Sequence, residues 1–337
     1  MSDVNALNTL TLPDGRCLVA DETSHRLSLG LDGQPLVALS LNREPALHVA
    51  IEQRFERPDS EILHLACYWF FASDPACQYL TWQLEKTPTD ALSGGLLVTG
   101  ESSGQYRCER ALFWQLPQPW LRQASTGSYP QYPVISGGKR HPLRPIKPRG
   151  EVYRRFDARL GSWISLRTVD IEQDLTRFNR WQNSARVASF WQEEGSLEQH
   201  REYLTKLQAD PHTLPLIGCF DDQPFAYFEA YWAKEDRIAP FYEAGDYDRG
   251  IHMLVGEEQH RGPHKVASWL AALTHYLFLD DPRTQRVVAE PRADNAKMIG
   301  YMQGQRYHCE KEFDFPHKRA ALMVLGRERF FERCGLA

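Results

Sequence analysis

A proline- and glycine-rich stretch near the middle of the chain is the feature that most constrains the fold. Residues 122–150 read RQASTGSYPQYPVISGGKRHPLRPIKPRG and show no apolar periodicity. Proline removes a backbone donor and restricts its predecessor to extended conformations, so a regular helix is excluded there. The stretch predicts an irregular linker over 122–150. It would separate a small α+β N-terminal domain over 1–121 from a second domain over 151–337.

Bulk composition argues against several classes of function. The 337 residues carry 39 basic and 44 acidic side chains with no long basic run, which disfavours nucleic acid as a partner. The first residues lack the pattern of a secretory signal, and no apolar run approaches the ~20 residues that span a bilayer. We therefore expect a cytoplasmic protein without a membrane segment. The seven cysteines are scattered without a C-x-x-C pair, which predicts neither a zinc site nor a disulfide framework.

The first domain carries short apolar runs typical of strands joined by Asp-Gly turns. Within it, PALHVAIEQRFERPD (45–59) predicts a helix, and the apolar run EILHLACYWFFASD (61–74) predicts a buried strand. The sequence shows no internal repeat of fixed period. No cluster of titratable residues with a catalytic spacing stands out in this domain.

The second domain reads as β-α-α-β-β-β-α-β-α-β-β. Its most informative segment is GIHMLVGEEQHRGPH (250–264), an apolar strand containing His252 followed by a short loop and a helix that opens at Gly262. A glycine at a helix N-terminus lets an anion approach unpaired backbone N–H groups, which favours a phosphate site. An ordinary helix start explains the same residues equally simply.

The order of these elements resembles the acyl-CoA core of the GNAT acetyltransferases. The family's loop is Gln/Arg-x-x-Gly-x-Gly/Ala; Gln259 and Gly262 match it, and His264 replaces the final small residue. The phrases DRGIHMLVGEEQHRG and LDDPRTQRVVAEPRADN are similar to one branch, the N-hydroxylysine acetyltransferases of aerobactin-type siderophore biosynthesis. The similarity runs from about residue 148 to the C-terminus. It implies a GNAT fold, an α/β (α+β) architecture with a mixed central sheet flanked by helices.

The resemblance also implies an activity. The protein would be an acyl-CoA-dependent N-acetyltransferase that converts an N-hydroxylated amine, with N6-hydroxylysine favoured, to a hydroxamate. Acetyl-CoA would be the co-substrate, and the enzyme's partners would be the small hydroxylated amine and either a siderophore synthetase or an amine hydroxylase. One alternative keeps the chemistry and uses N-hydroxycadaverine or N-hydroxyputrescine, with succinyl-CoA as donor. Another is a GNAT-like protein that binds without catalysis.

Two residues are the predicted catalytic pair. His252 falls on the family's histidine in the D-R-G-x-H-x-L-V-G phrase, and an ordinary pKa near ~6.5 suits a base at neutral pH. A core histidine bonded to a backbone carbonyl is the alternative. Asp294 follows the strand RVVAEPRA, where its carboxylate could hold the N–OH group of the acceptor or orient the imidazole. An Asp-Asn pair is also a common helix N-cap.

The resemblance implies two further sets of residues. The CoA-binding set comprises Leu254, Val255, Gln259, Arg261, Gly262, His264 and Asn295. The acceptor-binding set comprises Glu229, Tyr231, Trp232 and Arg292. The tyrosine that most of the superfamily places seven residues after Asn295 is absent, because that position is Met302 and Tyr301 lies one residue earlier. What protonates the leaving thiolate stays open.

A metal site is the remaining hypothesis for the histidines of the loop. His260 and His264 have the i, i+4 spacing that serves metal binding when both lie on one helix face. Pro263 between them indicates that His260 is still in the loop. No metal is therefore predicted.

Overall fold

The computed structural model describes residues 8–44, 46–123, 131–332 and 336. Its contacts divide the chain into two compact units. The first unit comprises residues 1–119, 156–161 and 331–337, and the second comprises residues 120–155 and 162–330.

The first unit contains eight of the described strands and three of the described helices. In chain order they are β1 (Thr9–Thr11), β2 (Cys17–Glu22), β3 (Arg26–Leu31), β4 (Gln34–Asn42), β5 (His48–Arg54), α1 (Asp59–Ser73), β6 (Tyr79–Gln83), α2 (Thr89–Ser93), β7 (Val98–Thr99), β8 (Gln105–Glu109) and α3 (Arg110–Phe113).

The second unit contains a hairpin, a large sheet and the longer helices. The elements are β9 (Pro133–Ser136), β10 (Lys139–Pro142), β11 (Glu151–Asp157), β12 (Ser162–Thr168), α4 (Ile171–Gln182), α5 (Ala185–Trp191), α6 (Leu197–Ala209), β13 (Thr213–Phe220), β14 (Gln223–Trp232), β15 (Arg249–Val255), α7 (Pro263–Asp280), β16 (Arg286–Ala289), α8 (Ala296–Gly304), β17 (His308–Asp314) and β18 (Arg319–Gly326). A short helix α9 (Arg327–Phe331) follows them.

The sheet of the second unit is mixed, as predicted. Its strand order is β11-β12-β13-β14-β15-β16-β18-β17. β15 and β16 pair in parallel, and α7 makes the crossover between them, as a parallel connection requires. The pairs from β12 to β15 and from β16 to β17 are antiparallel.

Two helices cover one face of this sheet next to β14 and β15. α4 has an apolar face, with Leu175, Phe178 and Trp181 buried in one cluster with Tyr227 and Leu254. The helix begins at Asp170, whose carboxylate accepts hydrogen bonds from two backbone N–H groups of the first turn. α6 begins with a capping box formed by Ser196 and Gln199. These local signals hold the helices above the strands that carry the site.

The first unit repeats the topology of the second. Its strands lie in the order β1-β2-β3-β4-β5-β6-β8-β7, and only β5 and β6 among its paired strands run in parallel. The helix α1 makes the crossover between them. The sequence shows no repeat because the duplication lies in strand order and pairing, not in residue identity.

The predicted helix and strand of the first domain are exchanged in the structure. The segment predicted as a helix forms the strand β5, and the apolar run predicted as a strand forms the helix α1. Nine residues of α1 are buried, so its sequence shows no amphipathic period from which a helix could be recognised. Length was the better criterion, because an apolar run of 14 residues exceeds a normal strand.

The described part of the predicted linker is ordered, which corrects the expectation of an irregular segment. β9 and β10 form a hairpin around Gly137 and Gly138, which both have positive φ, as a tight hairpin turn requires. Beyond it, the guanidinium of Arg144 binds the carboxylate of Glu235 at 2.5 and 2.6 Å. The ammonium of Lys147 donates to three backbone carbonyls. These contacts make residues 131–150 part of the second unit.

Within the described ranges, no helix is long and apolar enough to cross a membrane.

Candidate active site

The site lies where two neighbouring strands of the second sheet separate. β15 pairs with β14 from Arg249 to Val255, but it pairs with β16 only at Arg249 and Gly250. Beyond that point the two parallel strands diverge. His252 on β15 and Glu290 just after β16 are each two residues past the last pair, so their side chains emerge on the same face of the sheet.

His252 is held between two carboxylates. Its Nε2 lies 2.6 Å from a carboxylate oxygen of Glu290, and its Nδ1 lies 2.8 Å from a carboxylate oxygen of Glu229. Glu229 is directly opposite His252 in the β14–β15 register. Both glutamates are buried, whereas 20% of the His252 side chain is exposed. We call these three residues the Glu–His–Glu cluster.

Three tyrosine hydroxyls complete the hydrogen bonding of the two carboxylates. Tyr203 and Tyr227 donate to Glu229 at 2.5 and 2.9 Å. Tyr231 donates to Glu290 at 2.6 Å. Tyr227, Glu229 and Tyr231 therefore lie on one face of β14. Such a satisfied network positions its members firmly in a region of low dielectric constant.

The carboxylates change the ionisation of His252. Burial opposes its charged form, but the negative charge of Glu290 and the hydrogen bond to Glu229 raise the pKa of His252 to about 10. Burial also opposes ionisation of Glu290, yet the charge of His252 lowers the pKa of Glu290 to about 2. The imidazole is thus protonated at neutral pH, and the sequence-based expectation of an ordinary histidine pKa is wrong for this state.

The loop after β15 leads into α7 at Gly262. This glycine is the N-cap of α7 and has φ +116°, a conformation that other residues rarely adopt. No side chain caps the helix, and Pro263 occupies its first turn. The N-terminus of α7 therefore offers backbone N–H groups and partial positive charge to an anion.

The remaining residues of the predicted CoA set occupy different environments. The side chain of Leu254 is buried in the core cluster, and the carbonyl of Val255 accepts a hydrogen bond from Arg186 at 2.7 Å. Asn295 caps α8 through its side chain. Gln259, Arg261 and His264 are exposed on the loop and on the first turn of α7.

The structure does not bring Asp294 to the imidazole. Its carboxylate forms a bidentate pair with Arg292, at 2.8 and 3.0 Å, and 66% of its side chain is exposed. Both nitrogens of His252 already contact glutamates, so orientation of the imidazole belongs to Glu229 and Glu290. This corrects one of the two roles predicted for Asp294.

Of the predicted acceptor residues, Glu229 and Tyr231 lie in the cluster and Trp232 does not. Trp232 is buried on the opposite face of β14, where its ring stacks against the guanidinium groups of Arg144 and Arg249 at 4.3 and 4.1 Å. The strict alternation of a strand explains the difference, because Tyr231 and Trp232 are neighbours.

His260 packs against aromatic rings, with its centroid 5.5 Å from those of both Phe220 and Phe225. Across residues 8–44, 46–123, 131–332 and 336, no group of three or more His, Cys, Asp or Glu side chains is arranged to hold a metal ion.

Sequence reasoning missed Glu290 and Tyr203. Glu290 had a readable signal, because it is a carboxylate that directly follows the apolar run VVA and precedes Pro291. A charge in that position is either at a surface or in a site. Tyr203 gave no signal, since one tyrosine on an amphipathic helix resembles any other.

Comparison with known proteins shows the class to which this arrangement belongs. The family profile described as an acetyltransferase (GNAT) domain matches residues 170–315. An uncharacterized protein from Bacillus halodurans has the same fold, with a TM-score of 0.53 and 28% identity over 56% of this chain and 95% of that one. The split sheet and the glycine-opened helix are thus those of a GNAT acyltransferase.

Two relatives narrow the class. The chain is 50% identical to a putative lysine N-acyltransferase from Schizosaccharomyces pombe, over 82% of this chain and 83% of that protein. It is 46% identical to the N(6)-hydroxylysine O-acetyltransferase of Escherichia coli, over 67% of this chain and 72% of that protein. The chain belongs to the N-hydroxylysine acetyltransferase family of GNAT enzymes.

Proposed function

We propose that the protein transfers an acetyl group from acetyl-CoA to the hydroxylated side-chain nitrogen of N6-hydroxylysine, producing a hydroxamate. The observation that carries this proposal is the Glu–His–Glu cluster at the split between β15 and β16. It places a proton-transfer group beside a gap in the sheet where two reactants can meet. Family membership supports both the reaction and the substrate class.

The N-terminus of α7 is proposed to bind the pyrophosphate of the donor. Its backbone N–H groups follow Gly262, and no side chain caps the helix. An anion can therefore approach the helix axis without displacing a protein group. Gln259, Arg261 and His264 lie on this loop and turn, where they would contact the phosphates, and Leu254 and Val255 would contact the pantetheine through their backbone.

No nucleophile of the enzyme is needed in the proposed reaction. The nitrogen of the acceptor attacks the thioester carbonyl and forms the N–C bond. The tetrahedral intermediate then loses its N–H proton, the C–S bond breaks, and the sulfur of CoA takes up a proton. The enzyme must align the reactants and move one proton from nitrogen to sulfur.

His252 is proposed as the base, through a change in its contact with Glu290. Glu290 has the largest influence among those that raise the pKa of His252. An acceptor N–OH group that replaces Glu290 at Nε2 would remove much of this influence. The pKa of His252 would then fall toward its ordinary range, and Nε2 could accept the proton of the intermediate. Asp294, at the surface beside Arg292, is proposed to contact the N–OH group.

A direct experiment tests the function. The purified protein is incubated with acetyl-CoA or succinyl-CoA and with N6-hydroxylysine, N-hydroxycadaverine or N-hydroxyputrescine, and the products are identified by mass spectrometry and by their ferric complexes. We expect CoA release with acetyl-CoA and N6-hydroxylysine, and a product that forms a ferric hydroxamate. Unmodified lysine is the control acceptor and should give no such complex.

Three results would contradict parts of the proposal. No CoA release with any pair would overturn acyl transfer to a hydroxylated amine. A product that forms no ferric hydroxamate would indicate transfer to oxygen, the reaction in the name of the Escherichia coli relative. Higher kcat/KM with a hydroxydiamine or with succinyl-CoA would replace the favoured substrates.

The chemistry also defines the neighbouring steps. An enzyme that hydroxylates a primary amine must supply the acceptor, since the N–OH group is present before acylation. A siderophore synthetase that joins several hydroxamates would consume the product, because several hydroxamates are needed to chelate one ferric ion. These two enzyme classes are the proposed partners.

A further inference from the structure

Three basic side chains surround one aromatic ring near the Glu–His–Glu cluster. The guanidinium carbon of Arg237 and the ammonium of Lys318 lie 5.5 and 5.6 Å from the ring centroid of Phe315. The imidazole of His317 stacks on the same ring with a centroid distance of 5.5 Å. We call Arg237, His317 and Lys318 the basic cluster.

A hydrogen bond links the basic cluster to the proposed active site. The ammonium of Lys318 donates to the backbone carbonyl of Glu290 at 2.7 Å. The carboxylate of that same residue contacts His252 at 2.6 Å. A single residue, Glu290, therefore links the basic cluster to the imidazole of His252, where the acceptor nitrogen would react.

Arg237 and Lys318 form no direct ion pair in the part of the chain that the structure describes. Burial lowers the pKa of Lys318, and the carboxylates of Glu290 and Asp236 act on it in the opposite direction from a longer distance. Arg237 is exposed, so an anionic ligand can reach its guanidinium and give it a direct partner.

Neighbouring arginines differ in this respect. Arg319, next in sequence to Lys318, binds Glu312 at 2.9 Å. Arg292, which the sequence analysis assigned to the acceptor carboxylate, is occupied by Asp294. Arg237 is thus the exposed guanidinium of this region that is available to an anion.

We propose that Arg237, supported by Lys318 and His317, binds the α-carboxylate of an amino-acid acceptor. This inference rests on the proposed function and assigns a specificity-determining role within it. A guanidinium binds a carboxylate through two parallel hydrogen bonds, and the positive charge of Lys318 strengthens the attraction. Burial lowers the pKa of His317, so its support is the stacking on Phe315 and not a charge. The enzyme would thereby distinguish N6-hydroxylysine from N-hydroxycadaverine, which has the same hydroxylated end and no carboxylate.

The test compares two acceptors with several variants. For wild-type protein, kcat/KM with acetyl-CoA should favour N6-hydroxylysine over N-hydroxycadaverine. In Arg237→Met this preference should fall about tenfold, the loss expected for a partly exposed charged hydrogen bond. The change should lie in KM, since the carboxylate is remote from the reacting nitrogen. Arg237→Lys, which keeps the charge, should recover part of the preference.

Arg319→Gln is the matched control. It removes a positive charge from the adjacent strand, but one that is already bound to carboxylates. The ratio of its kcat/KM for N6-hydroxylysine to its kcat/KM for N-hydroxycadaverine should equal the wild-type ratio. An equal fall in Arg319→Gln and Arg237→Met would mean a general effect of surface charge and would overturn the inference. So would an Arg237→Met variant whose preference between the acceptors is unchanged while its preference between acetyl-CoA and succinyl-CoA changes.

Binding measurements separate this inference from the proposed function. Calorimetry with CoA present gives the affinity of each acceptor for wild type and for Arg237→Met. Tighter binding of N6-hydroxylysine than of N-hydroxycadaverine, lost in the variant, supports the carboxylate site even if no turnover occurs. Turnover without any binding preference overturns the carboxylate site and leaves the function standing. Neither binding nor turnover overturns both.

Discussion

The two units share one sheet topology and differ where the active site would lie. In each unit the fifth and sixth strands of the sheet pair in parallel after a helical crossover. In the second unit the strands separate around charged and hydrogen-bonding side chains. In the first unit the equivalent positions carry exposed glutamates and no histidine.

The pairing registers define which residues correspond. The last parallel pair is Gly250 with Val288 in the second unit and Ala50 with Gln83 in the first. Two residues past this pair lie His252 and Glu290 in the second unit, and Glu52 and Glu85 in the first. Glu52 and Glu85 are exposed, so the first unit has solvated carboxylates where the second has the Glu–His–Glu cluster.

The two crossover helices also differ in the charge of their first turns. α7 opens at Gly262 with no acidic residue in its first turn. α1 opens after Pro58 and carries Asp59 and Glu61 in its first turn. Carboxylates there stabilise the helix dipole, but they repel a phosphate. The comparison shows that the fold alone does not define an acyltransferase, since the required residues occupy only a few positions of it.

The largest difference between the units should appear on removal of the imidazole. His252→Ala should lower kcat about 10³-fold, because it removes the proposed base, and circular dichroism should show the native fold at a lower melting temperature, because two buried carboxylates lose their partner. The matched variant Glu52→Ala removes an exposed carboxylate at the equivalent position of the first unit, and it should leave kcat and the free energy of unfolding near their wild-type values. Steady-state kinetics and thermal unfolding of both proteins check this. Near-normal turnover in His252→Ala would remove the distinction between the two units.

A second prediction concerns Glu290, whose buried carboxylate corresponds to the exposed Glu85 of the first unit. If neutral His252 is the active form, kcat/KM of the wild type should increase with pH up to about 10, where the free enzyme loses the imidazolium proton. Glu290→Gln removes the main charge that raises this pKa, so the rise should shift to lower pH. Its maximum kcat should fall about 10²-fold through lost positioning.

The pH dependence of kcat/KM in both proteins provides the measurement. Glu312→Gln, which removes a carboxylate at the surface, is the control and should follow the wild-type profile. An activity that is constant below pH 10 and declines above it would show that the imidazolium is the active form, and would contradict the proposed base.

Sequence patterns predicted those parts of the molecule that depend on local residues. His252 on its strand and the glycine-opened helix depend on short stretches, and each is found where the pattern placed it. The exchanged helix and strand of the first domain had no such signal, because a fully buried helix lacks amphipathic periodicity.

Contacts between distant segments could not be predicted in this way. Glu290 reaches His252 only because β15 and β16 separate after two residue pairs, and strand register is a property of the whole sheet. The pKa of His252 depends on the same contacts. The carboxylate partner was therefore assigned to Asp294, a surface residue close in sequence to the one that fills the role.

The helix N-termini provide a third test of the comparison. Gly262→Ala would place a side chain at φ +116°, with its Cβ 3.2 Å from the ring of His264, and so force the loop to shift. We expect KM for acetyl-CoA to rise about tenfold, in line with the 1–3 kcal/mol typical of such strain. Pro58→Ala, at the equivalent helix start of the first unit, should leave this KM unchanged. Equal effects of the two variants would argue against a donor site at α7.

The smallest effect is expected from a hydroxyl at the edge of the Glu–His–Glu cluster. Tyr203→Phe removes the 2.5 Å hydrogen bond to Glu229. One buried hydrogen bond stabilises a fold by about 1 kcal/mol, and its loss should also loosen Glu229 and lower kcat about threefold. Tyr307→Phe is the matched control, because the Tyr307 hydroxyl bonds Thr274 at 2.7 Å in the same unit but outside the cluster. Both variants should lose similar stability in chemical denaturation, and only Tyr203→Phe should lose activity. If kcat fell by the same factor in both variants, Tyr203 would contribute only to core packing and not to the site.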